Sequence, residues 1–300
     1  MSKKILCYGE MLWDDFPSGR VPGGAPLNIA SNLIQLGLQP MLVSAVGQDA
    51  AGEELLNLLR QRQIPETWIQ QNRLSTSRVQ VDDSQPEEVR YEILFPVAWD
   101  RIAWNEALRE AAEQADMVIF GSLSLRHPQS LATLRQLLAH TSAQVIFDLN
   151  LRPPFLHFPD VEDFLHRAQL LKVNEEELLF LTRYLLGNAS ASATTETLVA
   201  AAAALCQRYQ LAGIWLTRGG EGAYWLAPDR APLAQKAYPV QVKDTVGAGD
   251  AFLSGMVAGL AAEKSAAEIL DFAARLGAFV ASQSGGAPLH DPAAIAALKY

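Results

Sequence analysis

Three hundred residues, 49% of them apolar and 19% charged, suffice to bury a large core, which excludes disordered chains and short disulfide-stapled scaffolds. The 24 Lys and Arg against 33 Asp and Glu leave a formal charge of −9, without general attraction for phosphate backbones or anionic lipid, so neither nucleic acid nor membrane is an expected partner. Cys7 and Cys206 lie far apart, no zinc-ligand spacing occurs, and Glu10 cuts the apolar run after Lys3-Lys4 too early for a signal peptide, so a cytoplasmic protein is expected.

In chain order, Ile5–Tyr8 is a short apolar run that reads as a buried strand, and Pro26 then suits the first turn of a helix in which Leu27, Ala30 and Ile34 share a face. Further buried strands are expected at Met41–Val46, Met117–Phe120, Val145–Phe147, Leu170–Val173 and Ile214–Thr217, separated by segments of helical spacing. Asn174 can cap a helix opening with Glu175-Glu176-Glu177, whose carboxylates suit the positive end of the helix dipole. Gly187–Thr195 reads as a surface loop before an alanine-rich helix. The alternation of apolar runs and helices predicts an α/β protein with a mostly parallel sheet. Two stretches break the rhythm: Trp13–Val21 and Thr67–Asp100 alternate like exposed strands, with a polar turn at Asp83-Ser84-Gln85-Pro86. They predict a small β-sheet lid inserted into a single domain of residues 1–300, the alternative being an antiparallel edge extension.

The richest stretch is Asp244-Thr245-Val246-Gly247-Ala248-Gly249-Asp250, followed at once by the helix-like run Phe252–Leu260. Small residues at a helix start let backbone N–H groups approach an oxyanion closely, where unpaired donors and a positive partial charge await it. A carboxylate beside such a cradle repels an anion unless it has a task. Position alone admits two for Asp250: capping the helix, or accepting a proton from a hydroxyl that attacks a phosphorus held by the cradle. A dinucleotide fingerprint from Gly247 needs glycine where Phe252 stands, and no P-loop motif occurs. A second glycine pair, Gly23-Gly24, opens the helix containing Asn28, whose amide can either cap or reach a polyol, and Asp14 follows the first strand.

These two segments, in this order and separation, resemble the signatures of the ribokinase-like (PfkB) family of carbohydrate kinases, and within it most closely those of fructokinases, with likeness from Gly9 to about Pro288. The resemblance implies a three-layer α/β/α sandwich with a lid, and transfer of the γ-phosphoryl group of ATP to a sugar hydroxyl. By that resemblance Asp250 is the catalytic base, with Gly247, Ala248 and Gly249 as the anion hole. Asp14, Gly24 and Asn28 would hold sugar, and Arg152, in the segment from Asp148 to Pro153, would face phosphate or sugar. Asn174 and Glu177 match an Asn-x-x-Glu motif linked to Mg2+ and phosphate. Thr217, Gly219 and Gly222 match a nucleotide-side turn, and Ala274 lies in a helix flanking adenine. Asp244 and Ser284 would lie beside a monovalent cation such as K+. Lids of this kind commonly pair two subunits, which implies a homodimer.

One departure stands out. Many fructokinases carry an arginine before a Pro-x-Ala-x-Asp pattern, and this chain reads Leu94-Phe95-Pro96-Val97-Ala98-Trp99-Asp100 instead. The expected acceptor is D-fructose, with ribose, a nucleoside or 2-keto-3-deoxygluconate kept open by that change. A non-catalytic sensor would be expected to have lost the base or a cradle glycine, and both are present.

Overall fold

The apolar runs expected to be strands all form them, each within one or two residues of the expected ends. The computed structural model describes residues 2–16, 19–82, 90–155, 157–187 and 194–300. Two compact units result, one of Met1–Ala143 with Gly285–Pro288, the other of Gln144–Ser284 with Leu289–Tyr300.

The first unit contains β1 (Lys4–Tyr8), β2 (Leu12–Phe16), β3 (Gly19–Gly23), α1 (Ala25–Gln35), β4 (Gln39–Gly47), α2 (Ala50–Gln61), β5 (Ile69–Asn72), β6 (Ser77–Asp82), β7 (Arg90–Ile93), α3 (Glu106–Gln114), β8 (Met117–Gly121) and α4 (Pro128–Ala139). Its larger sheet runs β8-β1-β4-β5 and is parallel throughout. Ile5, Leu6, Cys7 and Tyr8 are all fully buried, the reason β1 reads as a continuous apolar run instead of an alternation.

A separate four-stranded sheet runs β3-β2-β6-β7. Both rhythm-breaking stretches contribute to it, but the second one divides its residues among three destinations. β6 and β7 join the small sheet, β5 pairs with β4 from Ser44↔Ile69 onward, and Ala98–Arg101 is a 3-10 turn in which Trp99 and Asp100 are buried. The turn expected at Asp83–Pro86 lies outside the described residues.

The second unit contains β9 (Gln144–Asp148), α5 (Phe158–Leu165), β10 (Leu170–Asn174), α6 (Glu175–Leu186), α7 (Thr195–Tyr209), β11 (Gly213–Thr217), β12 (Ala223–Leu226), β13 (Leu233–Gln235), α8 (Ala248–Ala261), α9 (Ala266–Ala281) and α10 (Pro292–Ala297). The strand order is β13-β12-β11-β10-β9, with β9, β10 and β11 parallel and the two outer strands antiparallel. α8 and α9 approach closely because Gly255 faces the Ala273 backbone, where a Cβ would come within 2.8 Å of the Ala273 Cα. Of the loop expected at Gly187–Thr195, Gly187 is the left-handed C-cap of α6 and Thr194 the N-cap of α7, while 188–193 lie outside the described residues. Among the described residues no helix is long and apolar enough to cross a membrane.

Candidate active site

In the second unit, the loop after β13 turns into α8 through Gly247, the N-cap, at φ +75°. That left-handed conformation suits glycine, and no side chain caps the helix. Asp250 therefore stands in the first turn, third in the helix, and the capping role that position alone allowed it falls to Gly247. The amides of the cradle are not equivalent. Ala248 N donates to Thr245 O at 3.2 Å, whereas the Gly247 and Gly249 amides meet no acceptor among the described residues.

Beside this turn lies a buried group of opposite charges. Asp148 ends β9 and is in register with Lys172 on β10; the Lys172 Nζ lies 3.0 Å from Asp148 Oδ1. The two side chains are 2% and 8% exposed respectively. Neither Asp148 oxygen has an aligned hydrogen-bond donor among the described residues, so the contact with Lys172 is an ion pair by distance alone. Burial pushes the Asp148 carboxyl up to about 6, with Lys172 opposing the shift and Glu177 and Asp250 adding to it. Burial alone would depress the Lys172 ammonium, but Asp148, Glu177 and Asp250 together hold it above its ordinary value.

Glu177 connects the same strand ends. Its Oε1 accepts from Leu151 N at 2.8 Å and its Oε2 from Asn174 N at 2.9 Å, while Asn174 Oδ1 accepts from Glu177 N at 2.8 Å, a reciprocal capping box at the start of α6. The Asp148 carboxylate, ion-paired with Lys172 but without an aligned hydrogen-bond donor, and that of Glu177 have the oxygen chemistry of a hard divalent cation that keeps waters and takes its other oxygens from phosphate. Among the described residues no group of three or more His, Cys, Asp or Glu could hold a metal ion.

The remaining expected residues of this unit are more scattered. Arg152 is exposed, its Nη1 donating to Leu151 O. Thr217 ends β11, and the turn beyond it holds Gly219 and Gly222 at φ +52° and +100°; a Cβ at Gly222 would overlap the Gln235 carbonyl. Ala274 is half-buried on α9. Asp244 Oδ1 accepts from Val246 N, its own amide and that of Lys243 donate to Ala281 O, and Ser284 is exposed. Those two side chains do not by themselves form a cation cage.

In the first unit Asp14 sits half-buried on β2, on the face of the small sheet that carries the apolar group of Leu12, Phe16, Val79 and Ile93. A Cβ at Gly23 would overlap its carboxylate, so the glycine makes room for the acid. Gly24, at φ +104°, is the N-cap of α1 and lies against the Glu10 carbonyl. Asn28, 4% exposed, packs its amide against Gly286, where a Cβ would stand 2.6 Å from Asn28 Nδ2. Asp14, Gly23, Gly24 and Asn28 thus belong to one neighbourhood of the chain, in which the missing Cβ of Gly23 makes room for the Asp14 carboxylate and that of Gly24 for the Glu10 backbone.

Three buried charges lie beyond the sequence-predicted set. Glu10 accepts from Ala25 N at the start of α1. Lys172 had a legible signal, a cation inside the otherwise apolar strand Leu170–Val173. Arg126 follows β8 and pairs with Asp100 in two contacts of 2.7 and 2.8 Å, with its guanidinium 3.9 Å from the Trp99 ring centre. It also donates to Leu94 O, so an arginine distant in sequence holds the very segment that lacks one of its own.

A parallel α/β fold, a glycine turn with open amides and a neighbouring acid are parts that a phosphotransferase uses. The pfkB family carbohydrate kinase pattern matches residues 16–292, and the chain belongs to that family, with the ribokinase-like fold. It is similar to the fructokinase of Salmonella typhimurium, at 31% identity over 87% of this chain and 86% of that protein. Among solved structures it resembles the Vibrio cholerae O395 fructokinase bound to fructose, ADP and calcium ion, with a TM-score of 0.82, 23% identity and coverage of 99% and 98%. It also resembles the Salmonella enterica aminoimidazole riboside kinase, complexed with aminoimidazole riboside and an ATP analogue, with a TM-score of 0.80, 20% identity and coverage of 98% and 99%.

Proposed function

We propose that this carbohydrate kinase uses ATP to convert D-fructose to fructose 6-phosphate. The observation that carries the reading is the glycine turn at Gly247–Gly249, with two uncommitted amides and Asp250 beside them in the first turn of α8. Asp250 accepts the proton of the acceptor hydroxyl as that oxygen bonds to the γ-phosphorus; the bond to the bridging oxygen breaks, and ADP leaves. The Gly247 and Gly249 amides stabilise charge on the transferring phosphoryl oxygens. The Thr217–Gly222 turn and Ala274 serve the nucleotide, and Arg152 stands ready to meet phosphate or sugar. When bound, Mg2+ neutralises phosphate oxygens, and Asp148 and Glu177 would hold it, with Asn174 fixing Glu177. No step is assigned to a monovalent cation beside Asp244 and Ser284.

Acceptor recognition is assigned to the first unit, where Asp14, Gly24 and Asn28 present a carboxylate, a close backbone and an amide to vicinal hydroxyls. The similarity to fructokinases supports fructose, and the small sheet would serve as the lid that excludes water. Leu94 and Phe95, both exposed, give the segment after β7 an apolar character, which favours a riboside or other acceptor as the second reading. The small sheet also leaves β3 and β7 as its outer strands, the surface through which two copies would pair.

ADP release measured across fructose, ribose, nucleosides and 2-keto-3-deoxygluconate tests the acceptor. Fructose should give the highest kcat/KM, and a silent fructose assay beside an active riboside would overturn the choice. Asp250→Ala should lower turnover on the order of 10²–10⁴-fold with sugar affinity retained. Near-normal turnover would remove Asp250 from the role of base.

A further inference from the structure

The reaction outlined above uses the glycine turn and Asp250 but leaves one buried cation without a task. Lys172 interrupts a strand whose neighbours Leu170, Leu171 and Val173 are core residues, and it is itself 6% exposed. A strand interior is a poor place for an ammonium group unless opposite charges need it there. Its Nζ lies 3.3 Å from the point a Cβ at Gly249 would occupy, so the glycine leaves no side chain between the ammonium and the cradle. Its one ion-pair partner among the described residues, Asp148, is in turn a buried carboxylate without an aligned hydrogen bond. Glu177 and Asp250 complete the electrostatic group.

We propose, resting on the kinase reading above, that Lys172 is a positioning residue for the nucleotide phosphates: it counter-charges the acidic set of Asp148, Glu177 and Asp250 so that a polyanion can settle on the Gly247 and Gly249 amides. With all three acids ionised the group carries −2 with the lysine and −3 without it. A polyphosphate approaching the cradle meets that difference directly, whereas the uncharged adenosine portion does not. The effect of removing Lys172 should therefore grow with the number of phosphates on the ligand. A lysine that merely filled space would affect every nucleotide alike.

Calorimetric binding of ATP, ADP and adenosine to the full chain in EDTA tests this without turnover. Lys172→Met should weaken ATP at least tenfold, ADP less, and adenosine less than twofold, while Lys172→Arg should keep most of the preference for ATP. The double variant Lys172→Met/Asp148→Asn restores a charge of −2 and removes the stranded carboxylate. It should bind ATP within about threefold of the wild type, and it provides a folded comparison where the single variant aggregates. Equal weakening of ATP and adenosine in Lys172→Met, or a double variant that has lost its preference for ATP, would overturn the proposal. A wild-type chain that binds no ATP, with or without Mg2+, overturns the kinase reading and this inference together. Normal wild-type binding with an unaffected Lys172→Met overturns the inference alone.

Discussion

Replacing Arg126 by methionine should be among the most damaging single substitutions in the first unit. The Arg126 and Asp100 side chains are 1% and 0% exposed, joined through Nε–Oδ1 at 2.7 Å and Nη2–Oδ2 at 2.8 Å. The guanidinium also stacks on Trp99 and donates to Leu94 O. Methionine keeps much of the apolar stem but leaves Asp100 with the Val97 amide as support for a buried charge. Breaking one side of a buried pair costs about 3–5 kcal/mol, which at about 2.1 cal/mol/K per residue lowers Tm by roughly 5–8 °C for a chain of 300 residues. The exposed pairs of Arg109 with Glu106 and Glu113 set the contrast, since Arg109→Met should leave the urea midpoint close to that of the wild type. Arg126→Met/Asp100→Leu, which removes both charges, should recover at least half of the loss. Urea titrations of the four proteins measure these differences. A stability for Arg126→Met within about 1 kcal/mol of the wild type, or a double variant no better than the single, would refute the reasoning that the charge left behind dominates.

Two further expectations address the site. Gly23→Ala forces the Asp14 carboxylate aside and should raise the acceptor KM on the order of tenfold with the nucleotide KM little changed; steady-state kinetics in both substrates would show the split, and an unchanged acceptor KM would detach Asp14 from sugar binding. Asp148 titrates near 6 in the folded chain against an unfolded value near 3.8, so its proton binds the folded state more tightly. Its ionisation therefore destabilises the ligand-free protein by about 3 kcal/mol above pH 6, and that handicap should fade as pH falls from 6 toward 4. Thermal melts of wild type and Asp148→Asn should show a Tm gap that narrows over this interval; a gap independent of pH would refute the assignment.

The central parallel strands are legible because burial on both faces writes them as nearly continuous apolar runs. β12 and β13 are not anticipated: Ala223–Leu226 is apolar but only four residues long, and Leu233–Gln235 is only three. β5 reads as part of the small sheet because Ile69–Asn72 alternates like an exposed strand, and its parallel pairing with β4 is a long-range choice that local pattern does not encode. Within the candidate site, the glycines and Asp250 stood out through motif spacing. What spacing could not convey was the commitment of the Ala248 amide to Thr245, or the joining of Lys172 to Asp148 across neighbouring strands. The segment before Pro96 still lacks an arginine of its own; that Arg126 donates to its Leu94 carbonyl, from 32 residues away, is a contact a local window cannot see.

Glu177 gives the second unit an unusual piece of joinery. Because one carboxylate fastens both the Leu151 amide and the first residue of the α6 cap, the loop bearing Arg152 and the head of that helix are tethered to a common post. The same post also stands at the end of β10, whose last residue is Asn174. Aspartate would be one methylene too short to reach both, and glutamine would present a donor where an acceptor is needed, so engineering of the Arg152 loop would have to treat it and the helix as a single movable part.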